Sequence, residues 1–363
     1  MPSTANFVTP LSQLQGRGPG RRDPLRALVT GGAGFIGSHL AEALCRRGDK
    51  VVVVDDLSSG TLDNLAWRAS GDDLEFVQGD AGDDVLLNQL LKGCDCIFHL
   101  AAMPSVQQSI IAPLESNRRN LDITLQLLVA ARDAGVGRVV FASSSSVYGE
   151  GNAEAKEEAS RPQLFSPYAV QKCAAEQYAQ LFHRLYALPV VTLRYFNVFG
   201  PRQDYDSPYA GVVARFCKAI LNSRPITIYG DGQQSRDFTY IDNVVSANLL
   251  AAEALEGKIA GRIFDCATGN SVSVLELAAA LAELSGRPLA QSLEPSRVGD
   301  IRDSRANISA IESELGYRVS VGWKEGLRRT LDSYRLEDAS VRGTLGRRSG
   351  LASRINSSTV PRA

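Results

Sequence analysis

Short, mostly apolar runs alternate along this chain with longer stretches in which apolar residues return every three or four positions. The runs at 27–30, 51–55, 74–78, 96–100, 138–143 and 190–195 predict strands, and the stretches at 38–47, 85–91, 120–134 and 167–186 predict helices between them. A strand with no polar alternation is buried on both faces. A parallel sheet covered by helices on each side provides that environment, and a half-solvated antiparallel sheet does not. The succession of strand, helix and strand therefore predicts a doubly wound α/β fold. Beyond residue 197 the alternation loosens. Strands are expected at 226–229 and 262–265 and helices at 212–221, 244–255 and 274–284, forming a smaller α/β lobe over the carboxyl ends of the sheet, where open α/β sheets bind ligands.

The first strand runs into Thr30-Gly31-Gly32-Ala33-Gly34-Phe35-Ile36-Gly37, and the second ends at Asp55, about twenty residues on. Gly31 permits a tight turn, Gly34 lets backbone N–H groups approach a pyrophosphate, and Gly37 lets the helix pack closely on the strand. The helix N-terminus adds positive partial charge, and Phe35 and Ile36 are counted with the glycines as cofactor-binding positions. Asp55 is placed to accept hydrogen bonds from an adenosine ribose. An acid there disfavours a 2′-phosphate, so the cofactor expected is NAD, on a Rossmann-type sheet. The division expected is a disordered leader over 1–24, an NAD-binding domain over 25–197, a mainly substrate-binding lobe over 198–338 whose strands interleave with the first domain, and a disordered basic tail over 339–363.

Composition narrows the partners. A net charge of −1 on 363 residues gives no basic excess, so nucleic acid is not expected as a partner. No apolar run reaches the roughly 18 residues that span a bilayer, so no membrane is expected either. The six cysteines are scattered, with neither disulfide-framework nor zinc spacing, and no metal is expected. They read as reduced core thiols of a cytoplasmic protein.

The candidate chemistry lies downstream. Ser143, Ser144, Ser145 and Ser146 leave the end of a predicted strand, at the open edge of the sheet. Tyr168 and Lys172 stand four residues apart, on one face of a predicted helix. A phenol has an ordinary pKa near 10, but a neighbouring ammonium and an oxidised nicotinamide both favour the phenolate. Tyr168 then takes a proton from a sugar hydroxyl while hydride leaves the same carbon. Lys172 also binds the nicotinamide ribose.

Together with His99-Leu100-Ala101-Ala102, the run from Leu193 through Tyr195 and Asn197 to Arg202, and Ser235-Arg236-Asp237-Phe238, these motifs resemble the extended short-chain dehydrogenase/reductases. Within them the similarity is to the nucleotide-sugar 4-epimerases, from about residue 25 to 334. The resemblance implies that Asp80 and Ala81 meet the adenine, that Leu100, Ala101 and Ala102 line the cofactor, and that Tyr195 lies beside the nicotinamide. It implies that Ser144 holds the reacting hydroxyl with Tyr168 and that Ser145 and Ser146 touch the sugar. It further implies that Asn197, Arg236 and Arg297 bind the diphosphate and that Tyr229 stacks on uracil. Arginine suits a diphosphate because its planar fork pairs with two phosphate oxygens at once. The resemblance also implies a homodimer, built on the apolar helices 120–134 and 167–186.

Related dehydratases carry a carboxylate beside the active hydroxyl, where this chain has Ser145 and Ser146. Elimination then lacks its proton shuttle, and oxidation, rotation of the keto-sugar and reduction from the other face is the course expected. The segment from Arg297 through Asp300 to Ser304 resembles the wall where some epimerases place a tyrosine. Ser304 is small and leaves room for a 2-acetamido group, which Ser105 and Gln203 are placed to contact. The substrates expected are UDP-GlcNAc/UDP-GalNAc or UDP-glucose/UDP-galactose. A UDP-glucuronate 4-epimerase, with Arg202 or Arg302 on the carboxylate, is the nearest alternative, and a non-catalytic NAD-binding regulatory protein is the alternative from another class.

Overall fold

The structure is a computed structural model that describes residues 24–150, 155–205, 207, 210–288, 290–296 and 301–337. Apart from Pro24, the expected leader and tail lie outside the described residues, as do Arg297 and Asp300.

Strands β1 (Arg26–Thr30), β2 (Lys50–Asp55), β3 (Leu74–Gln78), β4 (Cys96–His99), β5 (Arg138–Ser144) and β6 (Val190–Tyr195) pair in parallel with one another. With strand Ile263–Cys266, which joins the edge of β6, they make a seven-stranded sheet. The chain leaves β1 towards β2 and β3 on one side, then returns to β4, β5 and β6 on the other. The order therefore reverses between β1 and β4, where Thr30 stands opposite His99. A crevice opens at such a reversal because the two connections diverge to opposite faces.

Strands β1, β2, β4, β5 and β6 are buried on both faces, while β3 at the sheet edge is only partly buried, and successive residues enter different cores. Ala27, Val29, Val51 and Val53 pack on one face with Leu40 and Leu44 of helix α1 (Phe35–Arg46) and Val244 of helix Ile241–Glu253. Leu28, Val52 and Val54 pack on the other with Leu87, Leu127, Ala175 and Ala179 from helices Asp84–Leu90, Ile123–Asp133 and Pro167–Tyr186. Each fully buried Val or Leu contributes about 1.5–3 kcal/mol, which is why strands with no polar face remain in the middle of the molecule.

Three predicted elements differ from those observed, and the helix expected over 244–255 runs over Ile241–Glu253. Helix α1 begins at Phe35 rather than at 38, because Gly34 itself serves as its N-cap. The helix expected over 120–134 opens instead with a π turn, Arg118–Asp122, and becomes α-helical at Ile123. The widened turn carries Asn120, whose buried amide accepts from Met103 N at 2.7 Å and donates to Gln171 Oε1 at 2.9 Å. Apolar periodicity cannot register a side-chain bond of this kind. Beyond β6, the short strands Ser235–Arg236 and Asp303–Ser304 pair in parallel and bring Arg236 and Ser304 side by side.

Candidate active site

A cleft of about 1770 Å³ opens at the carboxyl ends of the strands. That exceeds the roughly 300–1,000 Å³ of a pocket for one drug-sized ligand and suits two nucleotides lying together.

One wall is built by the turn between β1 and α1. Gly31 has φ +68°, and a Cβ there would lie 2.8 Å from Ala101 N, while a Cβ on Gly37 would lie 2.2 Å from Gly31 O. Only glycine permits both the turn and the close approach. Gly34 is the N-cap of α1, and Gly34, Phe35, Ile36 and Gly37 all line the cleft, so the positive end of the helix borders it. Asp55 is buried at the end of β2 and accepts from Ala33 N and Leu57 N, each at 2.9 Å. Burial raises its pKa, and those two bonds act against the rise. Phe35, Ile36, Asp80, Ala81, Leu100, Ala101 and Ala102 also line this wall.

His99 fastens the wall from behind. Thr124 Oγ1 donates to Asn120 O at 2.8 Å, so it accepts from His99 Nε2 at 3.0 Å. His99 Nδ1 then accepts from Thr30 Oγ1 at 2.8 Å, and Thr30 Oγ1 accepts from Leu100 N and Ala101 N, both at 3.2 Å. Burial, with the Lys172 charge adding to it, lowers the His99 pKa to about 3, so the ring is neutral. The result is a fixed backbone for Leu100 and Ala101.

The opposite wall carries the hydroxyl side chains. Helix Pro167–Tyr186 starts at Ser166, which accepts from Ala169 N at 3.1 Å, and Pro167 occupies its first turn, where no N–H is needed. Tyr168 and Lys172 sit on the buried face of this helix, and Ser144 ends β5. All three line the cleft with Ser145, Ser146 and Tyr195. Lys172 Nζ donates to Ala142 O at 2.8 Å and lies 5.9 Å from the Tyr168 ring centre. Burial lowers the Lys172 pKa to about 8, and Glu176 opposes the shift. Burial pushes Tyr168 up to about 12, and a side-chain hydrogen bond with Ser144 acts the other way. Lys172 by itself therefore does not make Tyr168 a base at neutral pH. The positive nicotinamide has to supply the remainder of that expectation.

Beneath these residues lies a charged network that the motif reading passes over. Ser143 Oγ donates to Glu176 Oε1 at 2.5 Å, and Arg194 grips both carboxylate oxygens at 2.8 and 2.7 Å. Arg194 Nη1 reaches Tyr148 Oη at 2.7 Å, and that hydroxyl is 2.8 Å from Asp265. Glu176 stands four and eight residues beyond Lys172 and Tyr168, so extending the same helical spacing would have found it.

Asn197, Gln203, Ser105, Arg236 and Ser304 line the remaining side of the cleft. Ser105 caps helix Val106–Ile111 by accepting from Gln108 N at 3.1 Å. Arg236 Nη1 donates to Ser235 O at 2.8 Å. Tyr229 ends strand Ile226–Tyr229, which pairs with Gln291–Glu294, and it stands outside the cleft lining. Several lining residues carry no motif, among them Asn64, Gln107 and Arg119. Asn64 Nδ2 donates to Ala33 O at 2.9 Å, behind the glycine turn.

The NAD dependent epimerase/dehydratase family model matches residues 27–267, and the chain belongs to that family. It is 40% identical over 313 residues to the UDP-glucose 4-epimerase of Mycolicibacterium smegmatis, covering 86% of this chain and 99% of that one. Among solved structures, the UDP-N-acetylglucosamine 4-epimerase of Methanobrevibacter ruminantium superposes with a TM-score of 0.82 at 38% identity, over 86% of this chain and 99% of that one. The UDP-glucose 4-epimerase of Thermotoga maritima, solved with UDP-glucose, gives 0.81 at 36% identity over the same shares. The cofactor is accordingly NAD and the chain an enzyme. The glycine cradle, which a Cβ would fill, and the buried Asp55 fit that cofactor.

Proposed function

We propose that this enzyme interconverts the 4-epimers of a UDP-hexose, UDP-GlcNAc/UDP-GalNAc or UDP-glucose/UDP-galactose. The observation that carries the reading is that Ser144, Tyr168 and Lys172 share one cleft with the glycine cradle, while Ser145 and Ser146 stand where elimination needs a carboxylate. NAD, when bound, supplies a hydride acceptor at the sugar C4 that later returns the hydride to the same carbon.

Tyr168 takes the proton of the C4 hydroxyl and gives it back after the keto-sugar has turned over. Ser144, joined to Tyr168 by a hydrogen bond, orients that hydroxyl. Lys172 holds the cofactor ribose and keeps positive charge beside the phenol. Asp55 takes the adenosine ribose, Asp80 and Ala81 the adenine, and Asn197 with Arg236 the diphosphate. We assign residues 25–197 mainly to the cofactor and 198–338 mainly to the substrate. Ser304, Ser105 and Gln203 leave the sugar C2 position open, which favours acceptance of a 2-acetamido group.

We assign a cytoplasmic location, to which the six free thiols are suited. We also assign a homodimer. Val170, Tyr178, Leu181 and Leu185 form an exposed apolar stripe on helix Pro167–Tyr186, and a second copy of the chain would cover it. Gel filtration is expected to give twice the 39.0 kDa chain mass, and elution as a monomer at micromolar concentration would refute the dimer.

Incubation with UDP-GlcNAc, UDP-glucose and UDP-glucuronate in separate tubes, followed by anomeric proton signals, tests the activity. Epimers of the first two are expected. No epimer from any of the three would sink the reading, and NAD bound without turnover would favour a regulatory protein.

A further inference from the structure

We infer that Glu42, in the middle of α1, is a positioning residue for the sugar nucleotide. It holds Arg202, and with it the loop over residues 197–203, in the conformation that sets substrate affinity. The inference rests on the reading of this cleft as a sugar-nucleotide site.

The loop is held in an unfavourable shape. Asn197 has φ +31° and Arg202 has φ +63°, so two non-glycine residues within six positions occupy left-handed backbone. Such backbone is unfavourable for a residue with a Cβ and persists only where the surroundings impose it. The restraints come from outside the cleft. His39 Nε2 donates to Pro201 O at 3.0 Å, and Tyr334 Oη donates to Gln203 O at 2.9 Å. Burial lowers the His39 pKa to about 4, with the Arg202 charge adding to it, so at neutral pH this bond is a neutral one. The charged restraint is Glu42, whose carboxylate lies between Arg202 Nη2 and Arg46. Arg46 is 75% exposed and Arg202 only 21%, so solvent screens the first pair far more than the second.

The consequence lies on the other side of the guanidinium. Arg202 and Gln203 both line the cleft, and among the described residues Arg202 Nη1 and Gln203 Oε1 are buried with no hydrogen-bond partner. A buried donor or acceptor left unpaired carries its desolvation penalty uncompensated, so a strained loop that keeps one of each in residues lining the cleft is arranged for a ligand. With one guanidinium nitrogen fixed on Glu42, the other is oriented before substrate arrives. The loop is thereby tied to the same helix whose first turn forms the cofactor cradle.

The test uses the full-length enzyme with its bound NAD and whichever UDP-hexose it turns over. Glu42→Gln is expected to raise KM by about tenfold, with kcat changed little and released NAD unchanged per chain. In an Arg202→Met background, the same Glu42→Gln change is expected to add nothing, because Glu42 acts only through Arg202. An unchanged KM, an equal rise in both backgrounds, or a rise accompanied by loss of NAD would each overturn the inference. Glu42→Asp keeps the charge with a shorter reach and is expected to raise KM by less. Should Glu42→Gln fold poorly, Glu42→Asp read in the same two backgrounds decides. If the wild-type chain bound no sugar nucleotide, the functional reading would fall and this inference with it, whereas normal wild-type binding with a Glu42-independent KM would overturn this inference alone.

Discussion

The two sides of the cleft differ in how fully they satisfy themselves. On the cofactor side, Asp55 already accepts two backbone N–H groups, His99 bonds through both ring nitrogens, and the glycine turn is packed to the point where a Cβ has no room. On the substrate side, Ser146 Oγ, Arg202 Nη1 and Gln203 Oε1 are buried without partners among the described residues. A surface that is rigid and internally bonded loses little entropy when a ligand stays in place. A surface with unpaired donors and acceptors gains from each ligand that pairs them and is relieved again only by the next one. The difference suits a cofactor that stays bound through each cycle and a substrate that exchanges.

The largest expected effect breaks the chemistry while sparing both sides. Tyr168→Phe keeps the packing and removes the only proton-transferring hydroxyl on that helix face, so turnover is expected to fall by about 10²–10⁴ with NAD content unchanged. Activity of the variant within a factor of two of wild type would remove Tyr168 from its role. Next comes the cofactor side alone. Gly37→Ala puts a methyl 2.2 Å from Gly31 O, and overpacking of this kind costs about 1–3 kcal/mol. Bound NAD is expected to drop, and melting should occur several degrees lower; full NAD occupancy would mean that the turn yields more readily than its geometry implies. The smallest effect is in the pH profile.

Burial lowers the Lys172 pKa to about 8, so the ammonium is present below that value and lost as the pH rises through it. Activity is therefore expected to decline on the alkaline side from near pH 8. The same depression acts on stability in a definite sense: between about 8 and the ordinary 10.5, the unfolded chain binds the Lys172 proton and the folded chain does not, so this group's contribution to stability rises with pH across that window. A kcat profile flat to pH 10 would break the link between Lys172 charge and turnover.

Much of this was legible in the chain. Period and burial follow from the same side-chain alternation, so the six apolar runs became β1 to β6 within a residue or two of the expected limits. The glycine turn with Asp55, and Tyr168 with Lys172, are local in sequence, and local spacing fixes their geometry before any long-range contact forms. The other residues of the site are not local. Glu42 meets Arg202 across 160 positions, and Tyr148 meets Asp265 across 117.

The sequence by itself determined the parallel sheet and the cofactor, and it named Tyr168 and Lys172 as the pair for the proposed chemistry, because each depends on the identity and spacing of neighbours along the chain. Only the tertiary structure decided that burial pushes the Tyr168 pKa further up, to about 12, with the Ser144 hydrogen bond acting against the rise. The same is true of the Glu176 and Arg194 pair beneath the catalytic helix and of the strained loop whose orientation Glu42 imposes. Desolvation and ion pairing depend on what the fold brings within a few ångströms, and no pattern along one chain encodes which distant residue that will be.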